Sequence, residues 1–376
     1  MSDIQAVILA GGKGTRLRPV TVGLPKPLVP IANRALVVHQ LIHLASCGVT
    51  DVTLALGYEA ERFATVREEA EELGVNLRVV TEPAALGTGG ALRYCLDQGA
   101  FDERPLFWMN GDVAAAPSIR SLQRFHAERD GQVSLWLTSV RDVSEFGVLE
   151  LRDDGHVERF LEKPSPEETD SRLVNAGILM LDPRVLQRIP PEKHFSFEQQ
   201  LLPVMVDEAE PVYGMFDGGY WLDTGRPRDY LAANRHVLEQ RLEWWPAGHH
   251  LGDGLWEGEQ VKSGSWLIRP AALGDEVVVD DDAQLFGRTV LGDRTTVSGG
   301  SQLENCVVFA DVEVGRDCEI INSVVCDGAR IGNGVVLRDS IVGSRTVVGD
   351  RNQLRGARLW NDVDLPPGVL VVGRQS

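Results

Sequence analysis

Residues 303–342 read LENCVVFADVEVGRDCEIINSVVCDGARIGNGVVLRDSIV, and three segments of this stretch are versions of one another. LENCVV begins at Leu303, IINSVV at Ile320 and LRDSIV at Leu337, each 17 residues after the last. Val297, Val314, Ile331 and Val348 share the period, and the last three are each followed by glycine. FGRTVL at Phe286 and LRGARL at Leu354 extend the series in both directions. An aliphatic at about every sixth residue, with small residues between, is the pattern of a left-handed parallel β-helix of hexapeptide type, expected here over 271–376. One coil cannot bury its apolar side alone and must stack on its neighbours. A sandwich of short strands would show no fixed period.

Upstream the pattern changes. Apolar runs at Gln5–Leu9, Val52–Leu56, Leu77–Val80 and Leu106–Met109 are short and end in loop residues, as buried parallel strands do. Helical stretches such as Glu59–Leu73 and Ser118–Arg129 lie between them. This alternation predicts an α/β sheet with helices on both faces. In FGVLELRDDGHVERFLEKP, alternating residues flank Asp153-Asp154-Gly155, which predicts a hairpin. The expected division is an α/β domain over 1–243, a linker over 244–270 that carries a hydrophobic patch (WWPAGHHLGDGLWEG), and the β-helix. The helix before the linker is expected over Pro227–Glu243.

Composition narrows the function. A net charge of −18 argues against nucleic acid, whose binding rests on cationic phosphate contacts. No apolar run approaches the roughly 20 residues of a membrane helix, and MSDIQAVILAGG lacks the basic flank of a signal peptide. Five cysteines without metal-like spacing point to a reducing, cytoplasmic setting, with Cys306 inside the repeat as core. Of 37 basic residues only five are lysine: Lys13, Lys26, Lys163, Lys193 and Lys262. An ammonium is a compact, mobile point charge, whereas the guanidinium is a fixed fork, so lysines kept in glycine- and proline-rich loops suit a moving phosphate.

The N-terminal strand runs into LAGGKGTRLRP, Leu9 to Pro19. It fails the P-loop pattern, and it fails the dinucleotide pattern because Leu17 stands where the third glycine belongs. Its physics survives both failures. Glycines let backbone N–H groups approach an anion, and Arg16 can fork two phosphate oxygens. Ligands of open α/β sheets sit at the carboxyl ends of strands, where this loop and the NGD of Asn110–Asp112 both lie.

The stretch LAGGKGTRLRPVTVGLPKPLVPIANRAL closely resembles the signature of the sugar-1-phosphate nucleotidyltransferases (nucleotide-sugar pyrophosphorylases). The likeness continues through EPAALGTGGALR, MNGDV, FGVLEL, EKP, NAGILML, FSFEQQLLPVM and WLDTGRPRDYL. Lys26-Pro27 resembles the branch of mannose-1-phosphate guanylyltransferases, and Ala35 departs from a common proline. The resemblance implies a Rossmann-like, GT-A-like catalytic domain ahead of the β-helix. It also implies a magnesium-assisted reaction between a nucleoside triphosphate, GTP above others, and a sugar 1-phosphate, mannose 1-phosphate above others. Heptose, glucose or cyclitol phosphates and UTP or dTTP are the alternative pairs. A non-catalytic regulatory subunit is a further alternative, although the expected catalytic residues are all present.

Site residues follow from the same resemblance. Arg16 is expected on the β- and γ-phosphates, Lys26 near the α-phosphate and Lys163 on the sugar phosphate. Asp112 and Asp223 match the metal ligands. The glycine loop supplies Gly11, Gly12, Gly14 and Thr15 to the triphosphate. The base is expected against Leu9, Ala10, Pro83, Gly87 and Thr88, with Gly111 and Asp112 at the ribose. Gly147, Glu162 and Asn175 match sugar-contacting positions, and Gly177 clears space for the sugar. Lys13 need not take part. β-Helices of this type also serve acyltransferases that use a histidine, but no histidine follows His250. The expected role of this β-helix is homo-oligomerisation.

Overall fold

The computed structural model describes residues 3–12, 14–57, 59–165, 167–263 and 266–373. Lys13 lies outside them. The chain divides into two compact units, one of Met1–Gly12 with Gln40–Trp221 and one of Lys13–His39 with Leu222–Ser376. The dividing line therefore differs from the chain-order division expected at 243. The glycine loop beyond Gly12 groups with the C-terminal half.

The first unit is a nine-stranded mixed sheet with helices packed on it. Its strands are β1 (Gln5–Leu9), β2 (Asp51–Leu56), β3 (Asn76–Thr81), β4 (Leu106–Asn110), β5 (Val133–Ser139), β6 (Gly147–Leu151), β7 (Val157–Glu162), β8 (Leu173–Leu181) and β9 (Val212–Phe216). The order β3-β2-β1-β4 is parallel throughout, and β8 then runs antiparallel to β4. All of β1 but Leu9 is buried, which explains its uninterrupted apolar run. The first unit also holds α2 (Ala64–Glu72), α3 (Gly87–Asp97), α4 (Ile119–Glu128) and α5 (Leu202–Asp207), while α1 (Leu36–Ser46) straddles the line between the units. The helix expected from Glu59 begins instead with a tighter 3-10 turn over Ala60–Phe63. The expected hairpin is present as β6 and β7, with Gly155 in the left-handed region its turn requires.

The second unit is built around three ladders of eight, seven and seven strands, parallel except for the first strand of the eight, and these form the left-handed β-helix expected from the repeat. Leu303, Ile320, Leu337 and Leu354 stack in register and are fully buried, and so do Val297, Val314, Ile331 and Val348. Corners turn on left-handed residues at the same spacing: Asn305, Asn322, Asp339 and Gly356 form one such column. Two details differ from the sequence reading. Leu285, not Phe286, pairs with Leu303, because the corner at Gly287-Arg288 holds one extra residue. The expected linker is also structured: His249–Gly252 and Leu255–Glu257 form a hairpin, and the latter strand pairs in parallel with Ala271–Leu273. Burial of Leu255, Trp256 and Trp244 draws this segment in.

Helix α6 (Pro227–Leu238) ends earlier than expected, at a left-handed Gln240. It anchors the strap that follows the glycine loop. Asn234 accepts from the Ala32 amide at 2.7 Å and donates to Tyr230 O, while the Tyr230 hydroxyl donates to Pro30 O at 2.6 Å. Asn33 donates to Leu291 O at 2.8 Å in the β-helix. His39 bonds Ile31 O at 2.9 Å and stacks on Trp244, and burial pulls its pKa down to about 3, so it is neutral.

Candidate active site

The second unit brings together Arg16, Lys26 and Asp223. Gly14 is left-handed, and a side chain there would press on Thr21 and the Lys26 stem. The Thr21 hydroxyl donates to Gly14 O at 2.7 Å, and Thr15–Leu17 forms one 3-10 turn pinned by buried Leu17. That turn sends Arg16 to Asp223 Oδ2 at 3.0 Å. Lys26 sits in a second such turn, between Pro25 and Pro27, with its side chain only 4% exposed. Its Nζ stands 3.5 Å from Asp223 Oδ1, which also accepts the Gly225 amide at 2.8 Å. A Cβ at Gly225 would fall 2.7 Å from the Arg16 guanidinium, so this glycine keeps the ion pair intact. One carboxylate is thus held by two cations and a backbone N–H, a preorganised arrangement for handling phosphate charge.

The first unit gathers its own set at the carboxyl edge of the parallel strands. Ala10 N–H donates to Ala55 O and Gly111 N–H to Leu9 O, both at 2.8 Å, so the ends of β1, β2 and β4 are tied together. Leu9 is half-buried and Ala10 buried, Gly12 and Pro83 are exposed, and Asp112 is half-buried just past β4. Gly11 passes close to Gly57 and to Glu82, whose Oε2 accepts the Leu86 amide at 2.9 Å. Desolvation raises the Glu82 carboxyl above the usual range, partly offset by that bond. Gln40 donates to Asn110 O and Val113 O at 2.9 and 3.0 Å, holding the NGD turn.

Gly87 and Thr88 are engaged within the protein. A Cβ at Gly87 would meet Phe195 O at 2.8 Å, and the Thr88 hydroxyl bonds both Glu198 and the Phe197 amide. The GTGG run therefore has a packing reason: α3 starts against the 193–197 backbone.

Gly147 and Glu162 face each other across the β6–β7 pair, and a side chain at Gly147 would strike Phe160 and Glu162. Desolvation raises the Glu162 carboxyl, and the Lys163 charge opposes this. Lys163 itself is exposed and left-handed, its amide donating to Phe146 O at 3.0 Å. Asn175 sits at a bulge in β8 and accepts the Gly177 amide at 3.0 Å. The space beside Gly177 is taken by the Asn110 side chain rather than left open. Gly177→Ala should therefore cost about 2–4 kcal/mol, from a strained φ of 71° and overpacking against Asn110. Chemical denaturation of both chains checks this.

Sequence reasoning missed Glu82, Gln40, Asn110 and Gly225. Three of the four lie within or beside the motifs, but their partners are distant in the chain. Among the described residues, no group of three or more His, Cys, Asp or Glu could hold a metal. The two expected ligands are instead single carboxylates, Asp112 in one unit and Asp223 in the other. Either carboxylate by itself is a donor that magnesium accepts, since it takes one or two carboxylates and completes its shell with water and substrate phosphate oxygens.

The first parallel strand ends in a glycine loop, and within the second unit arginine, lysine and aspartate gather in an arrangement suited to phosphate charge. Residues 5–240 match the nucleotidyl transferase family and residues 264–373 the GMPPB C-terminal domain, and the chain belongs to the nucleotidyl transferase family. It is an enzyme of nucleotidyl transfer. A probable mannose-1-phosphate guanylyltransferase of Arabidopsis thaliana is 32% identical over 98% of each chain. The mannose-1-phosphate guanylyltransferase of Mycobacterium tuberculosis is 33% identical over 85% of this chain and 83% of its own. Among solved structures, HddC from Yersinia pseudotuberculosis, complexed with GMP-PN, superposes with a TM-score of 0.52. It is 27% identical over 61% of this chain and 97% of its own.

Proposed function

We propose that this chain transfers the guanylyl group of GTP to mannose 1-phosphate, releasing pyrophosphate and forming GDP-mannose. The observation that carries the reaction is the Asp223 carboxylate held between Arg16 and buried Lys26. The substrate pair follows the relatives, which carry that activity in their names over nearly the full chain. A phosphate oxygen of mannose 1-phosphate bonds to the α-phosphorus of GTP, the bond to the bridging oxygen breaks, and that oxygen leaves on pyrophosphate. The nucleophile is already an anion, so no general base is needed. The work is to align two polyanions and absorb the charge that develops.

Lys26 neutralises charge at the α-phosphate, and Arg16 follows the departing pyrophosphate. Lys163 holds the sugar phosphate, while Glu162, Asn175 and the Gly147 backbone take sugar hydroxyls. Gly11, Gly12, Gly14 and Thr15 cradle the triphosphate. Leu9, Ala10, Pro83 and the Gly87-Thr88 turn face the base, and Gly111 and Asp112 the ribose. Magnesium, held by Asp112 and Asp223, would supply charge neutralisation between the phosphates. Five free cysteines support a cytoplasmic enzyme, and exposed Trp360, Leu370 and Val372 late in the β-helix support assembly into a homo-oligomer.

Pyrophosphate release across GTP, ATP, UTP and dTTP with mannose, glucose, heptose and cyclitol phosphates tests the reading. GTP with mannose 1-phosphate is expected to give the highest kcat/KM. Another pair in front would change the substrate, and no release with any pair would leave a regulatory subunit.

A further inference from the structure

We propose that the second unit carries an additional anion site, for a small phosphate-bearing metabolite, in a groove of about 880 Å³ between α6 and one corner of the β-helix. The volume is that of a metabolite site. Both walls are periodic. On α6, Arg228 and Arg235 each stand three or four residues from the pair Leu231-Ala232, so the four share one helix face. Opposite stands the corner column of Asn305, Asn322, Asp339 and Gly356. The strands beside that column bring Val324, Ile341 and Arg358 into register.

The lining is of two kinds. Buried Val324 and Ile341 and half-buried Leu231 and Ala232 form its apolar part, but the next rung replaces the aliphatic with exposed Arg358. Five guanidinium groups line the groove, those of Arg16, Arg226, Arg228, Arg235 and Arg358, against the single carboxylate of Asp339. Asp223 and Asp229 pair with Arg16 and Arg228 behind the lining, which still leaves a local excess of positive charge in a chain of net charge −18. The Arg235 Nε is buried without a hydrogen-bond partner, so the fold carries a desolvated donor that an oxyanion would satisfy. The start of α6, which has no side-chain cap, adds its positive end.

Arginine forks match phosphate oxygens. Amide and carboxylate groups bonded along the corner, Asn305 to Asn322 at 2.7 Å and Asn322 to Asp339 at 3.2 Å, are suited to hydroxyls. The ligand class that satisfies both is a phosphorylated polyol. The groove also touches the chemistry, because Arg16 lines it while donating to Asp223. An anion bound there competes for Arg16 and slows turnover, a coupling that rests on the role proposed above for Arg16.

Equilibrium binding of inorganic phosphate and of glucose 6-phosphate, measured calorimetrically without nucleotide, tests the site separately from the reaction. Glucose 6-phosphate should bind with a Kd below about 1 mM, and at least about tenfold more weakly to an Arg228→Ala/Arg358→Ala chain. An Arg358→Gln chain should fall between them, and all three should keep their KM for both substrates. Phosphate binding as tightly as glucose 6-phosphate assigns a bare oxyanion site, and weaker phosphate binding assigns the corner ladder a share. Absence of saturable binding of either probe, or equal affinity in the double variant, overturns the proposal.

Discussion

A Lys26→Met chain is expected to fold and to release pyrophosphate about 10²–10³-fold more slowly than the parent, with little change in KM for the nucleotide. The expectation follows from how Lys26 is held. Its stem is buried in a turn clamped by two prolines, and its ammonium stands 3.5 Å from Asp223. Methionine keeps the length and apolar volume of that stem and removes only the charge. Asp223 keeps its bonds from Arg16 and the Gly225 amide, so the local fold retains its anchor. What is lost is a positive charge fixed before the reaction starts, and such groups act mainly on the transition state. Steady-state pyrophosphate release and thermal melting of the same preparations measure the two effects. Turnover close to the parent's would remove Lys26 from the chemistry.

Asp223→Asn should do more damage, because it touches structure and reaction together. Asparagine preserves shape and can still accept the Gly225 amide, but it carries no charge to set against Arg16 and Lys26. Losing two charge-assisted contacts at a half-buried carboxylate should cost about 1.5–3 kcal/mol of stability. Turnover should fall by about 10³, with the magnesium dependence moved to higher concentration. Denaturant midpoints and a magnesium titration of pyrophosphate release separate the two losses. A variant as stable as the parent would show that the ion pairs do not hold Lys26, and an unchanged magnesium profile would take Asp223 out of the metal site.

The repeat was legible because burial in a β-helix recurs with the coil: Leu303, Ile320, Leu337 and Leu354 are identical in environment and so similar in type. The one slip, at Phe286, came from a corner that adds a residue without disturbing composition. The glycine loop was legible too, since Gly14 and the two prolines around Lys26 record local backbone demands. Contacts between distant residues left no such trace. Gly177 was read as room for a sugar, whereas its missing side chain accommodates Asn110. Nothing local in GTGG announces that α3 lies on the backbone at 193–197. The hairpin at 249–257 was hidden because its glycines and histidines resemble a loop, while its burial depends on the coil that follows.

The strap from Pro30 to Arg34 has a practical consequence. Asn33 reaches Leu291, 258 residues on, Arg34 donates to Trp245 O, and Asn361 donates to Val22 O from a late coil. Shortening the chain after residue 243 would not release a self-sufficient N-terminal half. It would strip the backing from the segment that carries Lys26 and leave His39, which holds Ile31 O, without the ring of Trp244 stacked on it. Wear in the β-helix, by mutation or heat, should accordingly reach phosphate handling before it reaches the parallel sheet, even at positions that never meet substrate.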